Sequence, residues 1–390
     1  MKKIAKLSLV AAIAVSGLTS ANATALEEAI KGVDISGTAV YRYDDRTIDN
    51  KAKATPNSFS NESNNSYKVA LNLKSAINDD LTFNTRTIIG TDTGMAEVGG
   101  STVGSDGEAT FGLSQANFAY TGIMNTTVIA GKQAVPSPFA VQVDAAGGED
   151  TATGLTAITV AGPVTIAATY MNQTNLEAID GQDVAGLGLM GNAGPVALDG
   201  WYLEVLEASA PDTGHQAYTL GAKAAIEMVK LNARYSVVAH DAAAYDDEKL
   251  WKVGADAKFG IVSAGIAYGQ TNDVNASLTG VSLEGDSGAD SDTTLQAWGL
   301  NLEKKDDASL VIAKVGVDVL ANVNLSATYA DLSVDSAANS DASEYYGQLT
   351  YKMGKNFMTY ARIGQIEYDV ASGAASKDNT RGRLHVQYTF

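Results

Sequence analysis

The residues best placed to act on other molecules in this chain are charged side chains at regularly spaced positions. Six cations lie on the polar side of segments in which polar and apolar residues alternate: Arg42, Lys68, Arg86, Arg362, Arg381 and Arg383. Three acids, Asp144, Glu149 and Asp150, lie together in the segment 135–151. Cations that face carboxylates across water create an electric field, which orders water and favours polar over apolar solutes. These residues therefore indicate electrostatic action on ions and small polar molecules.

The sequence shows no arrangement of residues that is typical of a catalytic site. The chain has no cysteine, and its three histidines, His215, His240 and His385, are scattered across loops and one strand-like segment. This distribution contains no metal-binding triad and no nucleophile paired with a base. No glycine-rich loop joins a strand to a helix, so nucleotide binding is not indicated either. We predict that the protein is not an enzyme and requires no cofactor.

Calcium is the one metal that the composition suggests. Acidic segments such as 286–292, with the sequence DSGADSD, offer clustered carboxylates, which hard cations prefer as ligands. The sequence has no twelve-residue calcium loop with its closing glutamate. Calcium binding is therefore a hypothesis without a defined ligand set.

Residues 1–23 have the plan of a secretory signal peptide. Three lysines precede an apolar run of about a dozen residues, and the small residues ANA follow at 21–23. The apolar run is shorter than the ~20 residues that a membrane-spanning helix needs. A buried N-terminal helix is the alternative. We predict export, cleavage after Ala23 and a mature chain, 24–390, that forms one domain.

The charge balance of the chain argues against two classes of partner. With 45 acidic and 27 basic residues, the formal net charge is −18. Such a chain repels nucleic acid and anionic lipid headgroups. Its mean hydropathy of −0.04 is typical of a soluble protein, but also of a chain in which every second residue faces lipid.

Period-two alternation predicts strands along almost the whole chain. We predict about 18, with 16 as the alternative, because an even number places both chain ends at one rim. Short turns alternate with long acidic connections, as in an antiparallel meander. The segment 293–303 could be a further strand. The predicted strands lie near 33–45, 66–76, 80–90, 110–121, 126–134, 152–160, 163–172, 182–191, 195–206, 216–226, 228–238, 249–259, 261–270, 308–319, 323–332, 343–353, 357–368 and 380–390.

A meander of this length is expected to close into a transmembrane barrel. Open sheets rarely exceed ~10 strands, and closure removes the exposed edges. The last strand ends at Phe390 and would pair with the first. Closure would then make neighbours of the strands that carry Arg42, Arg86, Arg362, Arg381 and Arg383. The alternative is a soluble sandwich with one wet face. Aromatic residues on the apolar face favour the barrel, because they would form interfacial girdles. They include Tyr41, Tyr43, Tyr120, Tyr170, Trp201, Tyr235, Trp251, Tyr268, Tyr329, Tyr345 and Tyr388.

Three stretches resemble the major outer-membrane porins of Campylobacter-type (epsilonproteobacterial) bacteria. They are the N-terminal "KLSLVAAIAV…ANATALEEAIKGVDISGTAVYRYDD", "QANFAYTGIMNTTVIAGKQ" at 115–133, which is similar to the family's fourth and fifth strands, and the C-terminal "LHVQYTF". The resemblance implies an eighteen-stranded trimeric diffusion porin in the bacterial outer membrane. It also implies that the barrel-assembly machinery recognises the strand that ends at Phe390.

By the same resemblance, the loop after the fifth strand would fold inward and narrow the pore. That loop is 135–151, and its acids Asp144, Glu149 and Asp150 would face the basic residues of the wall. The sequence that follows "VIAGKQ", namely "AVPSPFAVQVDAAGGEDTATG", departs from the family in its prolines and its acidic cluster. The constriction therefore cannot be transferred residue by residue.

The expected function is passive diffusion of ions and small hydrophilic solutes through a water-filled pore. Because the acidic excess is concentrated in the long loops, we predict weak cation selectivity. One alternative is a channel specific for small organic anions, which the basic residues would guide. A secreted or surface-bound β-rich adhesin is the alternative from a different class.

Overall fold

The computed structural model describes the chain from residue 32 to the C-terminus with several gaps. The described residues are 32–51, 58–90, 95–97, 109–176, 182–206, 215–241, 245–274, 280–283, 290–335, 341–369 and 376–390. The predicted signal peptide and its cleavage site lie outside them. Within these ranges, no helix is long and apolar enough to cross a membrane.

Alternating residues form strands at all eighteen predicted places. The strands are β1 (Val33–Lys51), β2 (Ser58–Ala76), β3 (Leu81–Gly90), β4 (Ala96–Glu97), β5 (Thr110–Ile123), β6 (Thr126–Ala134), β7 (Thr151–Ala161), β8 (Val164–Thr174), β9 (Val184–Ala193), β10 (Val196–Val205), β11 (His215–Ile226), β12 (Val229–His240), β13 (Glu248–Phe259), β14 (Val262–Thr271), β15 (Ala308–Leu320), β16 (Val323–Val334), β17 (Asp341–Met353), β18 (Phe357–Asp369) and β19 (Ser376–Thr389). Eighteen are long, and the two-residue β4 pairs with β2 near Tyr67.

The sheet closes on itself through its first and last strands. Ala39 of β1 lies opposite Val69 of β2 on one side and opposite Tyr388 of β19 on the other. At the rim, the Gly37 amide donates to the Phe390 carbonyl at 2.8 Å, and the Phe390 amide donates back at 2.9 Å. The barrel predicted from the alternation is therefore confirmed, and the alternative of a soluble sandwich was wrong.

Short and long connections alternate around the barrel, as predicted. The short turns between described strands leave both ends of the sheet, near Val33 and Phe390, at the short-turn rim. Several of these turns contain a glycine with positive φ, among them Gly162 (62°), Gly194 (61°) and Gly260 (60°). This left-handed conformation costs glycine little, and it lets two residues reverse the chain.

The outer face of the wall is apolar and carries paired aromatic residues. Cross-strand neighbours are Tyr202 with Tyr218, Tyr235 with Trp251, and Tyr329 with Tyr345. All six side chains are exposed, as a lipid-facing girdle requires. The prediction for Trp201 was wrong. It lies on the inner face, where a Cβ at Gly188 would approach its ring to 2.6 Å.

Two apolar clusters lie inside the barrel, where connections after β6 and β14 fold inward. The first joins Phe139 to wall residues such as Met171 and Leu203. The second joins Leu300 and Leu302 to wall residues that include Leu250, Leu310 and Ile366. The apolar residues on the outer face of the wall are exposed, so the protein's buried core consists of these two clusters inside the barrel. They position the site described below.

Candidate functional site

The connection after β6 folds into the lumen, and Glu149 anchors it to β5, β3 and β2, the three long strands next to β6. Its carboxylate accepts from Lys68 Nζ at 2.9 Å and from Arg86 Nε at 2.7 Å and Nη2 at 2.5 Å. Ser114 Oγ on β5 donates to the same carboxylate at 3.1 Å. The loop thus reaches over β5 to β3 and β2, which confirms that it folds inward.

This anchor withdraws three predicted site residues from water. The side chains of Lys68 and Glu149 are 0% exposed, and that of Arg86 is 8% exposed. Burial alone would raise the pKa of Glu149, but Arg86 and Lys68 outweigh it and lower the pKa overall. Lys68 Nζ also donates to the carbonyls of Asp144 (2.9 Å) and Gly147 (3.0 Å). The charges of Lys68, Arg86 and Glu149 therefore hold the loop in place and are not accessible to a solute.

The two other acids of the loop stabilise its backbone. Asp144 Oδ1 accepts from the amides of Ala146 at 2.6 Å and Gly147 at 2.7 Å, which caps a turn. Asp150 Oδ2 accepts from the Val141 amide at 2.5 Å, and the Asp150 amide donates to the Val141 carbonyl at 2.7 Å. Asp150 is buried, whereas Asp144 is half-buried. Of the three acids, Asp144 alone keeps accessible surface toward the lumen.

A second inward segment, after β14, forms a small hairpin at 295–302. Gln296 and Asn301 form a β-bridge, the Ala297 amide donates to the Leu300 carbonyl at 2.7 Å, and Leu302 donates to Leu295 at 3.0 Å. The further wall strand considered at 293–303 is therefore a hairpin inside the barrel. Trp298 and Gly299 lie at its tip.

The tip of this hairpin is held by one carboxylate on the wall. Glu344 Oε2, on β17, accepts from the amides of Trp298 (3.1 Å), Gly299 (2.9 Å) and Leu300 (3.4 Å). Glu344 is buried, and its other oxygen lies 3.5 Å from Arg381 Nη1. A Cβ at Gly299 would clash with Arg381 and Ile366. Any larger residue at the tip would therefore force the ends of the Arg381 and Ile366 side chains to move.

The two inward segments contact each other and form one partition across the lumen. The Leu283 amide donates to the Phe139 carbonyl at 3.4 Å, and the Asp292 amide donates to the Pro138 carbonyl at 3.1 Å. Asp292 also pairs with Lys223 at 3.0 Å and lies 3.6 Å from Arg234. Burial would raise the pKa of Asp292, but Lys223 and its basic neighbours lower it overall. The partition is therefore tied to β11 and β12 by ion pairs.

Three of the predicted cations converge on Trp298. The guanidinium carbons of Arg381, Arg362 and Arg383 lie 4.5, 5.0 and 5.6 Å from the centre of the indole ring. Arg362 also lies 4.8 Å from the ring of Tyr346. We call Arg42, Arg362, Arg381 and Arg383 the arginine cluster, because β18, β19 and β1 place them side by side on the inner face.

The arginine cluster contains more cations than carboxylates. Arg383 Nε donates to Asp44 at 2.5 Å, and Arg381 pairs with Glu344. Arg362 Nε donates to the neutral Gln348 at 2.8 Å. Arg42 Nε is buried and has no hydrogen-bond acceptor among the described residues. Among the described residues, these four guanidinium groups form ion pairs with two carboxylates, and Asp144 attracts Arg42 from a greater distance. Arg381 and Arg383 remain 21% and 16% exposed.

Space remains beside the partition for solutes. A cavity of about 790 Å³ lies between the two inward segments and the wall of β8–β12. Val143 and Trp201 line it together with charged groups such as Lys223, Arg234 and Asp292. A cavity of this size, with polar and apolar walls, accommodates a small hydrated molecule.

The described residues offer no set of ligands for a metal ion. Within the described ranges, no group of three or more acidic or histidine side chains lies close enough to hold a metal ion. Of the acidic stretch 286–292, residues 286–289 lie outside the described residues, and Asp292 is paired with Lys223. Calcium binding stays a prediction.

Sequence reasoning missed Trp298, Glu344 and the hairpin. The stretch "TTLQAWGLNLE" alternates like a wall strand, and alternation cannot distinguish a strand of the wall from a hairpin in the lumen. The sequence signal available was Gly299, because an isolated glycine inside an alternating pattern indicates a bulge or a close approach of the backbone to another group.

Comparison with known proteins agrees with this architecture. Residues 1–192 match the family described as Campylobacter major outer membrane protein. No curated protein matches the chain. Among solved structures, a BenF-like porin from Pseudomonas fluorescens Pf-5 is 12% identical, with a TM-score of 0.69 and coverage of 92% of this chain and 99% of that one. OccAB3 of Acinetobacter baumannii is also 12% identical, with a TM-score of 0.68 and coverage of 92% of this chain and 99% of that one.

A third solved structure, OpdQ of Pseudomonas aeruginosa, is 14% identical, with a TM-score of 0.63 and coverage of 92% of this chain and 98% of that one. At these identities the likeness concerns the fold. Taken with the closed barrel and its apolar, aromatic outer face, the family match identifies this chain as an outer-membrane porin whose first 192 residues match the Campylobacter major outer membrane protein family.

Proposed function

We propose that this porin passes small hydrophilic solutes and that its narrow zone favours small anions, carboxylates above all. The observation that carries the proposal is the arginine cluster, in which four guanidinium groups form ion pairs with two carboxylates among the described residues. A guanidinium fork matches the planar geometry of a carboxylate and binds it through two parallel hydrogen bonds.

Two of the three acids of the inward loop do little to offset this positive charge, whereas Asp144 attracts Arg42 of the cluster. Glu149 is buried between Lys68 and Arg86, and Asp150 is buried within the loop. Of the three acids in the loop 135–151, Asp144 is therefore the one that a permeating cation can reach. This arrangement supports the anion-specific alternative over the weak cation selectivity expected from the net charge.

Weak cation selectivity is the second candidate, and one feature of the long-loop rim favours it. Asp273, Asp306, Asp307 and Asp335 lie close together there, and burial followed by the charges of the other three raises the pKa of Asp307. Clustered carboxylates attract cations at a channel mouth. The two candidates thus assign control of selectivity to different zones: the mouth for cations, the arginine cluster for anions.

The sign of the zero-current potential in a salt gradient separates these candidates. The mature protein would be reconstituted into a planar bilayer under a KCl gradient. An anionic sign that becomes less anionic in Arg362→Gln supports the proposal. Lys314→Gln, which removes an exposed cation from β15, is the matched control. A cationic sign that Arg362→Gln leaves unchanged contradicts the proposal and favours the mouth.

The porin fold and family indicate a channel rather than an enzyme. An adhesin would be released from cells without detergent, so extraction that requires detergent excludes that alternative. We further propose a homotrimer, removal of residues 1–23 on export, and recognition by the barrel-assembly machinery of the strand that ends at Phe390. The position of Phe390 at the closing seam supports the last of these. Calcium at the acidic loops is proposed from composition alone.

A further inference from the structure

The indole of Trp298 lies against the arginine cluster, in the position that a bound solute would occupy. It belongs to neither β18 nor β19, yet it lies within 5.6 Å of the guanidinium groups of Arg362, Arg381 and Arg383. The hairpin brings it there from the β14–β15 connection. A ring in this position covers the arginine surface that an anion would use.

The contacts of Trp298 divide into a fixed part and an exchangeable part. The backbone is fixed, because Glu344 accepts from three successive amides and the hairpin stem packs through Leu300 and Leu302. The side chain is held by cation–π contacts and by an edge contact with Tyr346, whose ring centre lies 5.6 Å away. Trp298 Nε1 is buried without an acceptor among the described residues. The ring can therefore move while the hairpin remains in place.

The two kinds of contact differ in what they satisfy. The indole attracts the arginines through its ring, which leaves their N–H donors without acceptors. A carboxylate accepts two parallel, charge-assisted hydrogen bonds from one guanidinium and can therefore compete with the indole. A neutral solute has no comparable interaction with the arginines and leaves the indole where it is.

We propose that Trp298 is a specificity-determining residue of the channel: its indole occupies the arginine cluster, and a solute carboxylate displaces it. The inference rests on the proposed anion preference and deepens it. It assigns the discrimination between charged and neutral solutes to the β14–β15 hairpin, in addition to the loop after β6. Removing the indole is expected to expose the arginines to every anion.

Trp298 can report on its own displacement, because the chain has three tryptophans. Trp201→Phe with Trp251→Phe leaves Trp298 as the single emitter. Titration with potassium acetate at constant ionic strength is expected to change its emission saturably. Acetamide, the neutral analogue of similar shape, is expected to have no effect, and Arg362→Gln to weaken the acetate response severalfold. A response to acetamide equal to that to acetate, or no response to acetate, overturns the proposal.

A second measurement does not depend on the double substitution. In planar bilayers, Trp298→Ala is expected to raise the acetate-to-potassium permeability ratio about fivefold, as the loss of ~1 kcal/mol of competition predicts. Trp298→Phe keeps a ring over the arginines and is expected to remain near the parent value. An unchanged ratio in a Trp298→Ala protein that still folds contradicts the proposal. The parent's own reversal sign tests the proposed anion preference separately, so the two failures are distinguishable.

Discussion

Glu149 and Lys68 are 81 residues apart in sequence, and their charged atoms lie 2.9 Å apart with both side chains buried. The pair joins an inward loop to β2 on the far side of β5 and β3. Arg86 completes it through two hydrogen bonds to the same carboxylate. Glu149 therefore ties the loop after β6 to β2 and β3.

We expect Glu149→Ala to release this loop. The substitution would leave Lys68 and Arg86 buried without their carboxylate, and breaking a buried pair costs about 3–5 kcal/mol. Single-channel recordings should show larger and noisier conductance, while the barrel still closes. Glu62→Gln, which removes an exposed acid that lies 3.8 Å from Arg46, is the control. Quiet, parent-like currents from the Glu149→Ala channel would show that the contacts of Phe139 and Pro138 are enough to hold the loop.

Acid should weaken the same anchor. The pKa of Glu149 is lowered in the folded protein, so its contribution to stability is present above the unfolded value of 4.5 and is lost as the pH falls through the folded pKa. Conductance noise should therefore rise at pH values below 4.5 and not between 5 and 8. Glu149→Gln should remove this dependence. Acid-induced noise that persists in Glu149→Gln would assign the effect to another group.

Glu303 should give the opposite pH dependence in the hairpin. Burial raises its pKa to about 7, with Ser282 opposing the shift and Glu248 adding to it. Protonated Glu303 therefore stabilises the seated hairpin below pH 4.5, and this stability is lost as the pH rises through about 7. Emission of Trp298, in the protein with Trp201 and Trp251 replaced by phenylalanine, should change between pH 6 and 8. Glu303→Gln should remove the change; a transition of equal size in that variant would contradict the assignment.

Gly299→Ala should displace the hairpin tip. The new methyl group would overlap Arg381 and Ile366, and overpacking of this kind costs about 1–3 kcal/mol. We expect altered Trp298 emission and an altered permeability ratio. Gly347→Ala on β17 is a matched control, because the nearest atom to its Cβ is 3.9 Å away. Equal effects from the two substitutions would mean that the tip has more room than its contacts indicate.

The strands could be predicted from sequence because their signal is local. Alternation over eight to ten residues specifies both a strand and its two faces, whatever the rest of the chain does. The segment around Val323 to Leu332 is an example, with its buried and exposed residues alternating along β16. The inner position of Arg42, Arg362 and Arg383 followed from the same alternation.

The site could be predicted only in part, because its contacts join distant segments. Nothing near Glu149 in sequence indicates that it lies between Lys68 and Arg86, and its burial reverses the role expected for it. Trp298 shows the same limit: its alternating neighbours predicted a wall strand, whereas tertiary packing of Leu300 and Leu302 holds a hairpin inside the lumen.

By itself the sequence determined a long antiparallel meander of about eighteen strands and its alternating faces, and it predicted that the two ends join at Phe390. These follow from period-two patterning and from turns a few residues long. Only the tertiary structure decided which charges neutralise each other and which remain accessible. The reason is physical: electrostatic pairing depends on distance and burial in three dimensions, and the inward paths after β6 and β14 set both.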